Sequence, residues 1–191
     1  MLGTSNEGLT YEHNLDKCLE LFADADFAGR INATNTEDPA SACSRTGFVI
    51  KCAGCPIIWK SKIQTENALS AAESECVALS TVLKETTPTM HFLKEIGALI
   101  DVASCDKIMK CTVFEDNNGA IELAKAPQMT PRTKHTAIKC YHFQSCVQKG
   151  DAMIEKINTA EEEADFFNKA ISATAIMLLE EESDGMAVVK L

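Results

Sequence analysis

Two short apolar runs that meet at a tight break constrain this chain more than any other feature. Thr46-Gly47-Phe48-Val49-Ile50-Lys51 and Pro56-Ile57-Ile58-Trp59-Lys60 flank the sequence Cys52-Ala53-Gly54-Cys55. β-Branched and aromatic side chains suit a pleated surface, and a glycine-containing pair between two such runs reads as a hairpin turn. A hairpin commits the chain to an antiparallel sheet, and the rest of the pattern decides what extends and covers it. A further apolar run, 19–22, precedes the hairpin across a polar loop, 30–44. The helical pattern 70–97 follows, with Ala72, Cys76, Leu79 and Leu83 at helical spacing and Glu75 beside that seam. Pro88 is expected to kink this helix or split it in two.

Beyond it, 108–114 reads as a strand, Asn117-Asn118-Gly119 as a turn and 120–125 as a short helix. Pro127 and Pro131 then precede a helix over 136–148 that ends at Gly150, and 152–157 alternates as a strand. Thr159-Ala160-Glu161-Glu162 fits a capping box, with Thr159 as N-cap and Glu162 reaching back. That cap would open a helix through Phe166 and Phe167 toward Leu179, with Asp165 one turn inside it. The order βββαβαβα predicts an α/β fold, a mixed sheet covered by helices. The acidic tail, 180–191, lacks a core-facing pattern and reads as flexible.

Composition narrows the function classes. A length of 191 residues suits one domain with a substantial core. No run of about 18 apolar residues is present, so no membrane span is expected. The first residues lack the basic start and apolar core of a secretory signal, so intracellular, cytoplasmic residence is expected. Nine cysteines, odd in number and scattered, read as reduced thiols. Cys52 and Cys55 have CxxC spacing but no second pair for zinc, and they fall on the hairpin turn. The net charge of −10 argues against bulk attraction to nucleic acid. Its distribution is more telling: 125–150 holds no acid but carries Lys125, Arg132, Lys134, Lys139 and Lys149 with His135 and His142, whereas acids dominate from Thr159 onward.

Four acids stand where a shared site could gather them. Asp24 and Asp116 each follow an apolar run, and Glu75 and Asp165 each lie in a helical stretch. Carboxylates at strand ends, joined by others from helices, are a common way to hold hard divalent cations for phosphodiester chemistry.

Their surroundings carry a resemblance. Phe22-Ala23-Asp24-Ala25-Asp26-Phe27-Ala28-Gly29 resembles the YSDADWAG signature that opens the ribonuclease H domain of copia-type long-terminal-repeat retrotransposon polyproteins. The likeness continues in order through Ser44-Arg45-Thr46-Gly47-Phe48, Ile58-Trp59-Lys60-Ser61-Lys62 and Ala72-Glu73-Ser74-Glu75-Cys76-Val77-Ala78-Leu79. It then runs through Glu115-Asp116-Asn117-Asn118-Gly119, Arg132-Thr133-Lys134-His135, Tyr141-His142-Phe143 and Ala164-Asp165-Phe166-Phe167-Asn168-Lys169. Gly3-Thr4-Ser5-Asn6-Glu7-Gly8-Leu9 resembles the end of the segment that follows the reverse transcriptase.

The resemblance implies a ribonuclease H-like fold with a five-stranded mixed sheet, three strands antiparallel and then two parallel. It implies a remnant of the polymerase-connecting segment at 1–15, the domain itself at 16–179 and the tail at 180–191. It also implies an endonuclease that cuts the RNA strand of RNA–DNA hybrids with two magnesium ions, manganese being the alternative. Asp24, Glu75, Asp116 and Asp165 would be both catalytic and metal-binding. Asn117, Arg132, Lys134, His135 and Lys139 would touch the hybrid. Asp26 and Glu73 are near-miss acids in the same motifs, set aside because Asp26 leaves the strand and Glu73 is two residues off. The implied partners are the hybrid and the parent polyprotein's reverse transcriptase domain, inside a virus-like particle. The family's SST before the helical glutamate is Ser70-Ala71-Ala72 here, and its FTKPL is Phe167-Asn168-Lys169-Ala170-Ile171. A second reading keeps the fold and gives it only hybrid binding or a structural role.

Overall fold

The computed structural model describes residues 14, 19–29, 39–99, 111–125 and 134–168. β1 (Leu19–Asp26) is followed by a 3₁₀ turn (Pro39–Ala42) and the hairpin of β2 (Arg45–Cys52) and β3 (Cys55–Ile63). Next come α1 (Ala71–Leu99), β4 (Cys111–Glu115), α2 (Asn118–Lys125), α3 (Lys134–Lys149) and β5 (Ala152–Lys156). A 3₁₀ turn (Thr159–Glu161) and α4 (Asp165–Asn168) complete the described chain. The strands form one sheet in the order β3-β2-β1-β4-β5. β1, β2 and β3 pair antiparallel, whereas β4 pairs parallel with β1 and β5 parallel with β4. This is the five-stranded mixed sheet expected from the sequence.

The hairpin closes as read. Ala53 and Gly54 both take positive φ, 52° and 79°, the double left-handed turn that matches strand twist. Cys52 pairs directly with Cys55 across it.

β1 is the central strand and is covered on both faces. Leu19, Leu21, Ala23 and Ala25 join Phe48, Ile50, Val113 and the α1 residues Cys76, Ala78, Leu79, Val82 and Leu83 in the main core. The opposite face carries a smaller core of Phe22, Val49 and Ala164, with Phe114, Ile157 and Phe167 packed on it. Period-two alternation along β1 separates the two sets. Lys51 fastens the smaller face: its Nζ donates to both Glu163 carboxylate oxygens at 2.8 and 3.1 Å and lies 5.7 Å from the Phe22 ring centre.

Several local expectations are corrected. α1 is one helix through Pro88, not two. The proline lacks an N–H, yet Thr86, Thr87 and Thr89 donate their hydroxyls to the carbonyls of Val82, Leu83 and Glu85 around it. The capping box at Thr159 does not form: Asn158 precedes a 3₁₀ turn, and Glu162 Oε1 accepts the Ala164 N–H at 3.1 Å. Asp165 is therefore the first residue of α4 and not a position one turn inside a helix. Asp26 does not leave the strand; it is the last residue of β1, paired with Arg45.

The start of α1 is capped from both sides. Ser70 Oγ accepts the Glu73 N–H at 3.2 Å, and Glu73 Oε2 reaches back past the N-cap to accept the Leu69 N–H at 2.8 Å. The proposed segments 1–15 and 180–191, the strand start at 108–110, Arg132 and the helix beyond Asn168 lie outside the described residues, Asn14 excepted.

Candidate active site

Register carries two of the four acids to one level. Phe22 of β1 pairs with Phe114 of β4, and their rings stack at 4.8 Å. Asp24 follows Phe22 by two residues within β1 and shares its face, and Asp116 follows Phe114 by two, just past the end of β4. Gly47 is the β2 partner of Asp24 and leaves the neighbouring position without a side chain. The first turns of α1 pack against the same strand end and bring in Glu75. Asp24 is 7% exposed and Glu75 5%.

The two are in contact. Burial first, then the charges of Glu115 and Asp24, a hydrogen bond to Asp24, and the charge of Asp116 push the Glu75 carboxyl up to about 11. Glu75 thus keeps its proton at neutral pH and donates it to Asp24. Three of the four sequence-read acids therefore share one electrostatic neighbourhood.

Two further carboxyls belong to it. Glu115, 1% exposed, closes β4, and its Oε1 accepts the Asn117 N–H at 3.0 Å. Burial raises it to about 8 against that hydrogen bond, with Asp116 and Asp24 adding to the rise. Glu162, 4% exposed, comes from the segment before α4. Burial pushes it up to about 9, opposed by its bond to Ala164 and reinforced by Glu115, Asp24 and Asp116. Among the described residues, Glu75, Glu115 and Glu162 each keep one buried oxygen, Oε2, with no hydrogen-bond partner. Asp165 is half-buried at the head of α4, three residues from Glu162.

Sequence reasoning misses Glu115 and Glu162. Glu115 stands next to Asp116 in its motif, but only the packed fold, which brings Glu75 of α1 beside it, reveals its burial. The sequence pattern assigns Glu162 to a cap that the fold does not make. Glu73 has a structural task in capping α1, and the Asp26 carboxylate fills the space where a Cβ on Gly29 would sit.

The positions read as hybrid contacts fare unevenly. Asn117 is the N-cap of α2, its Oδ1 accepting the Gly119 and Ala120 N–H groups at 2.9 and 3.2 Å. Lys134, His135 and Lys139 fall in the first turns of α3, and their side chains lie outside the described set. His142 is half-buried, and among the described residues its Nδ1 has no hydrogen-bond partner. Burial, then Lys84 and Lys149, lower its pKa.

Unpartnered buried carboxylate oxygens are the donor chemistry of a hard divalent cation. Among the described residues, no three His, Cys, Asp or Glu side chains stand close enough together to form a ready-made ion site.

The sheet order, three antiparallel strands and then two parallel, with buried acids at one end, is the five-stranded mixed α/β arrangement that the sequence resemblance implies. The chain is similar over nearly its whole length to retrotransposon Pol polyproteins. It is 29% identical to the Retrovirus-related Pol polyprotein from transposon TNT 1-94 of Nicotiana tabacum over 94% of this chain, and 27% identical to that from transposon RE1 of Arabidopsis thaliana over 92%. It spans only 12% and 11% of those polyproteins. No protein-family profile matches it. Similar solved structures include the N-terminal RNase H domain of rv2228c from Mycobacterium tuberculosis, at 10% identity, TM-score 0.47, 87% of this chain and 98% of that one. The Prototype Foamy Virus protease–reverse transcriptase is similar at 15% identity, TM-score 0.46, 94% of this chain and 22% of that one. Among the described residues no helix is long and apolar enough to cross a membrane.

Proposed function

We propose that this chain is the ribonuclease H segment of a retrotransposon polyprotein and hydrolyses the RNA strand of RNA–DNA hybrids. The observation that carries this reading is the Asp24–Glu75 contact beside Asp116, ringed by buried carboxylate oxygens that no described residue satisfies. Asp24, Glu75, Asp116 and Asp165 would hold two magnesium ions, with manganese as the alternative. When bound, such ions supply an activated water and stabilise the departing oxygen.

The chain's own residues prepare that event. Glu75 must release its proton as the site loads, which frees the oxygen now committed to Asp24. Glu115 fixes the turn after β4 through Asn117 and so sets the direction in which Asp116 projects. Lys51, by holding Glu163, keeps the segment that carries Glu162 and Asp165 against the sheet. Asn117 retains its amide donor for the hybrid, and Arg132, Lys134, His135 and Lys139 would follow the phosphates. Discrimination between RNA and DNA would rest on the 2′-hydroxyl and groove shape.

A second reading, hybrid binding without cleavage, is favoured by the absence of a ready-made three-donor site among the described residues. Incubating the chain with a labelled hybrid and magnesium separates the two. RNA-strand cleavage that EDTA abolishes, with duplex DNA left intact, is expected. Binding of an uncut hybrid would favour the second reading.

A further inference from the structure

At the end of the sheet opposite the acids, two cysteines from different elements face one hollow. Cys111 is the first residue of β4, and Cys146 lies in the last turn of α3. The turn that joins α3 to β5 draws them together. Gly150 takes φ 76°, so its N–H returns to the Val147 carbonyl at 3.1 Å and the Asp151 N–H to the Cys146 carbonyl at 3.0 Å. The Asp151 carbonyl then accepts the Cys111 N–H at 3.2 Å and the Cys111 thiol at 3.6 Å. One residue thus bonds to both cysteines, and both thiols are free.

Their sulfurs have room to move. Cys111, Cys146 and Asp151 line a hollow of about 150 Å³ with Met90 and His91 of α1. A close-packed interior holds each side chain in one rotamer, and a cavity of this size relaxes that constraint. Solvent reaches it: His91 and Asp151 are exposed and Cys146 is half-buried, whereas Cys111 is 1% exposed. The Cys111 thiol also feels the charge of Cys146, which places the two side chains within electrostatic reach. Cys76 and Cys140 differ: they hydrogen-bond to each other, but at 0% and 1% exposed they are closed off inside the main core.

We propose that Cys111 and Cys146 are a modification site, oxidised by a peroxide to a disulfide that staples the start of β4 to the end of α3. Cys146, the accessible member, gives up its proton and attacks the O–O bond of hydrogen peroxide. Its sulfur becomes a sulfenic acid, and the released hydroxide takes the proton to form water. The Cys111 sulfur then attacks the sulfenyl sulfur; the S–S bond forms, and hydroxide departs with the Cys111 proton as a second water. Two thiols lose two electrons, and one peroxide gains them. Burial and Asp151 push the Cys146 thiol up, with Lys149 opposing, so the first step is slow at neutral pH and quickens as pH rises. The bridge closes the long loop 111–146, which restricts the unfolded chain. Neither metal nor hybrid takes part, so this chemistry stands apart from the nuclease reading.

The test treats the full folded chain with hydrogen peroxide at pH 8, blocks remaining thiols with iodoacetamide during unfolding, and maps peptides by mass without reduction. Wild type is compared with Cys146→Ser and Cys111→Ala, and each is melted with and without dithiothreitol. One peptide pair joined through Cys111 and Cys146 is expected, with a melting temperature raised by about 5–10 °C that dithiothreitol reverses. Cys146→Ser, a change at a half-buried position, should fold as wild type and show neither the pair nor the rise. Cys111→Ala should leave Cys146 over-oxidised to a sulfinic acid. Cys111 recovered fully alkylated from peroxide-treated wild type, whether Cys146 is untouched, over-oxidised or joined to another cysteine, would overturn the site. A Cys111–Cys146 link that left the melting temperature unmoved or lower would overturn the staple.

Discussion

Where β1 and β4 finish, Asp24, Glu75, Glu115 and Glu162 are buried; where β4 and β5 begin, Cys111 and Cys146 line a hollow of about 150 Å³ with Met90, His91 and Asp151. Burial is the largest cause of a raised pKa at both ends, taking Cys111 to about 12 and Glu75 to about 11. The consequences differ. A thiol is already neutral at pH 7, so its higher proton affinity costs the fold nothing there. A carboxyl is ordinarily ionised at pH 7. Every tenfold gain in its proton affinity therefore withholds about 1.4 kcal/mol from the folded state until pH falls or a counter-charge arrives. One end of the sheet is uncharged packing; the other stores an unmet demand for positive charge.

The largest effect expected at the acidic end is on cleavage. Asp24→Asn should lower magnesium-dependent hydrolysis of a labelled hybrid more than about 100-fold. Asp26→Asn, one pleat further along the strand, should stay within a few-fold. The same assay resolves the α4 segment, where Asp165→Asn is expected to cost more activity than Glu162→Gln.

The pH dependence of folding sharpens the contrast further. Glu115 and Glu162 hold their protons more tightly in the fold, at about 8 and 9 against an ordinary 4.5. Their contribution is complete below about pH 4.5 and is lost as pH climbs toward 8–9. Urea unfolding without divalent ions should therefore show stability falling continuously between pH 5 and 8.5, and magnesium should flatten that fall. Glu115→Gln should raise the ion-free melting temperature at pH 8 by about 2–6 °C, because it removes a buried charge. The smallest effect belongs to the thiol end: Cys146→Ala should leave both the pH curve and the magnesium response as in wild type.

The order of strands and helices along the chain, the hairpin turn and the helix seam beside Glu75 were all legible, because alternation and helical spacing are local signals; how the strands pair came only from the resemblance. So was the paired placement of Asp24 and Asp116, since each ends an apolar run. The second set of carboxyls was not. Glu115 and Glu162 become buried only when α1 and the segment before α4 close over opposite faces of the sheet, an arrangement that local pattern does not encode. Pro88 misled for a similar reason: a proline signals a break, while Met90 and Leu93 beyond it pack on the same core as Leu83 before it. Asn117 reads as a ligand contact in the sequence, yet its first task is to cap α2.

A magnesium titration at pH 8, followed by thermal unfolding of the wild-type chain and of Asp24→Asn, tests most directly whether the acidic end accepts divalent ions. A rise in melting temperature that saturates with magnesium in the wild type, and is largely lost in the variant, is expected. Identical, flat responses in both would mean that these carboxyls gather for some purpose other than holding metal.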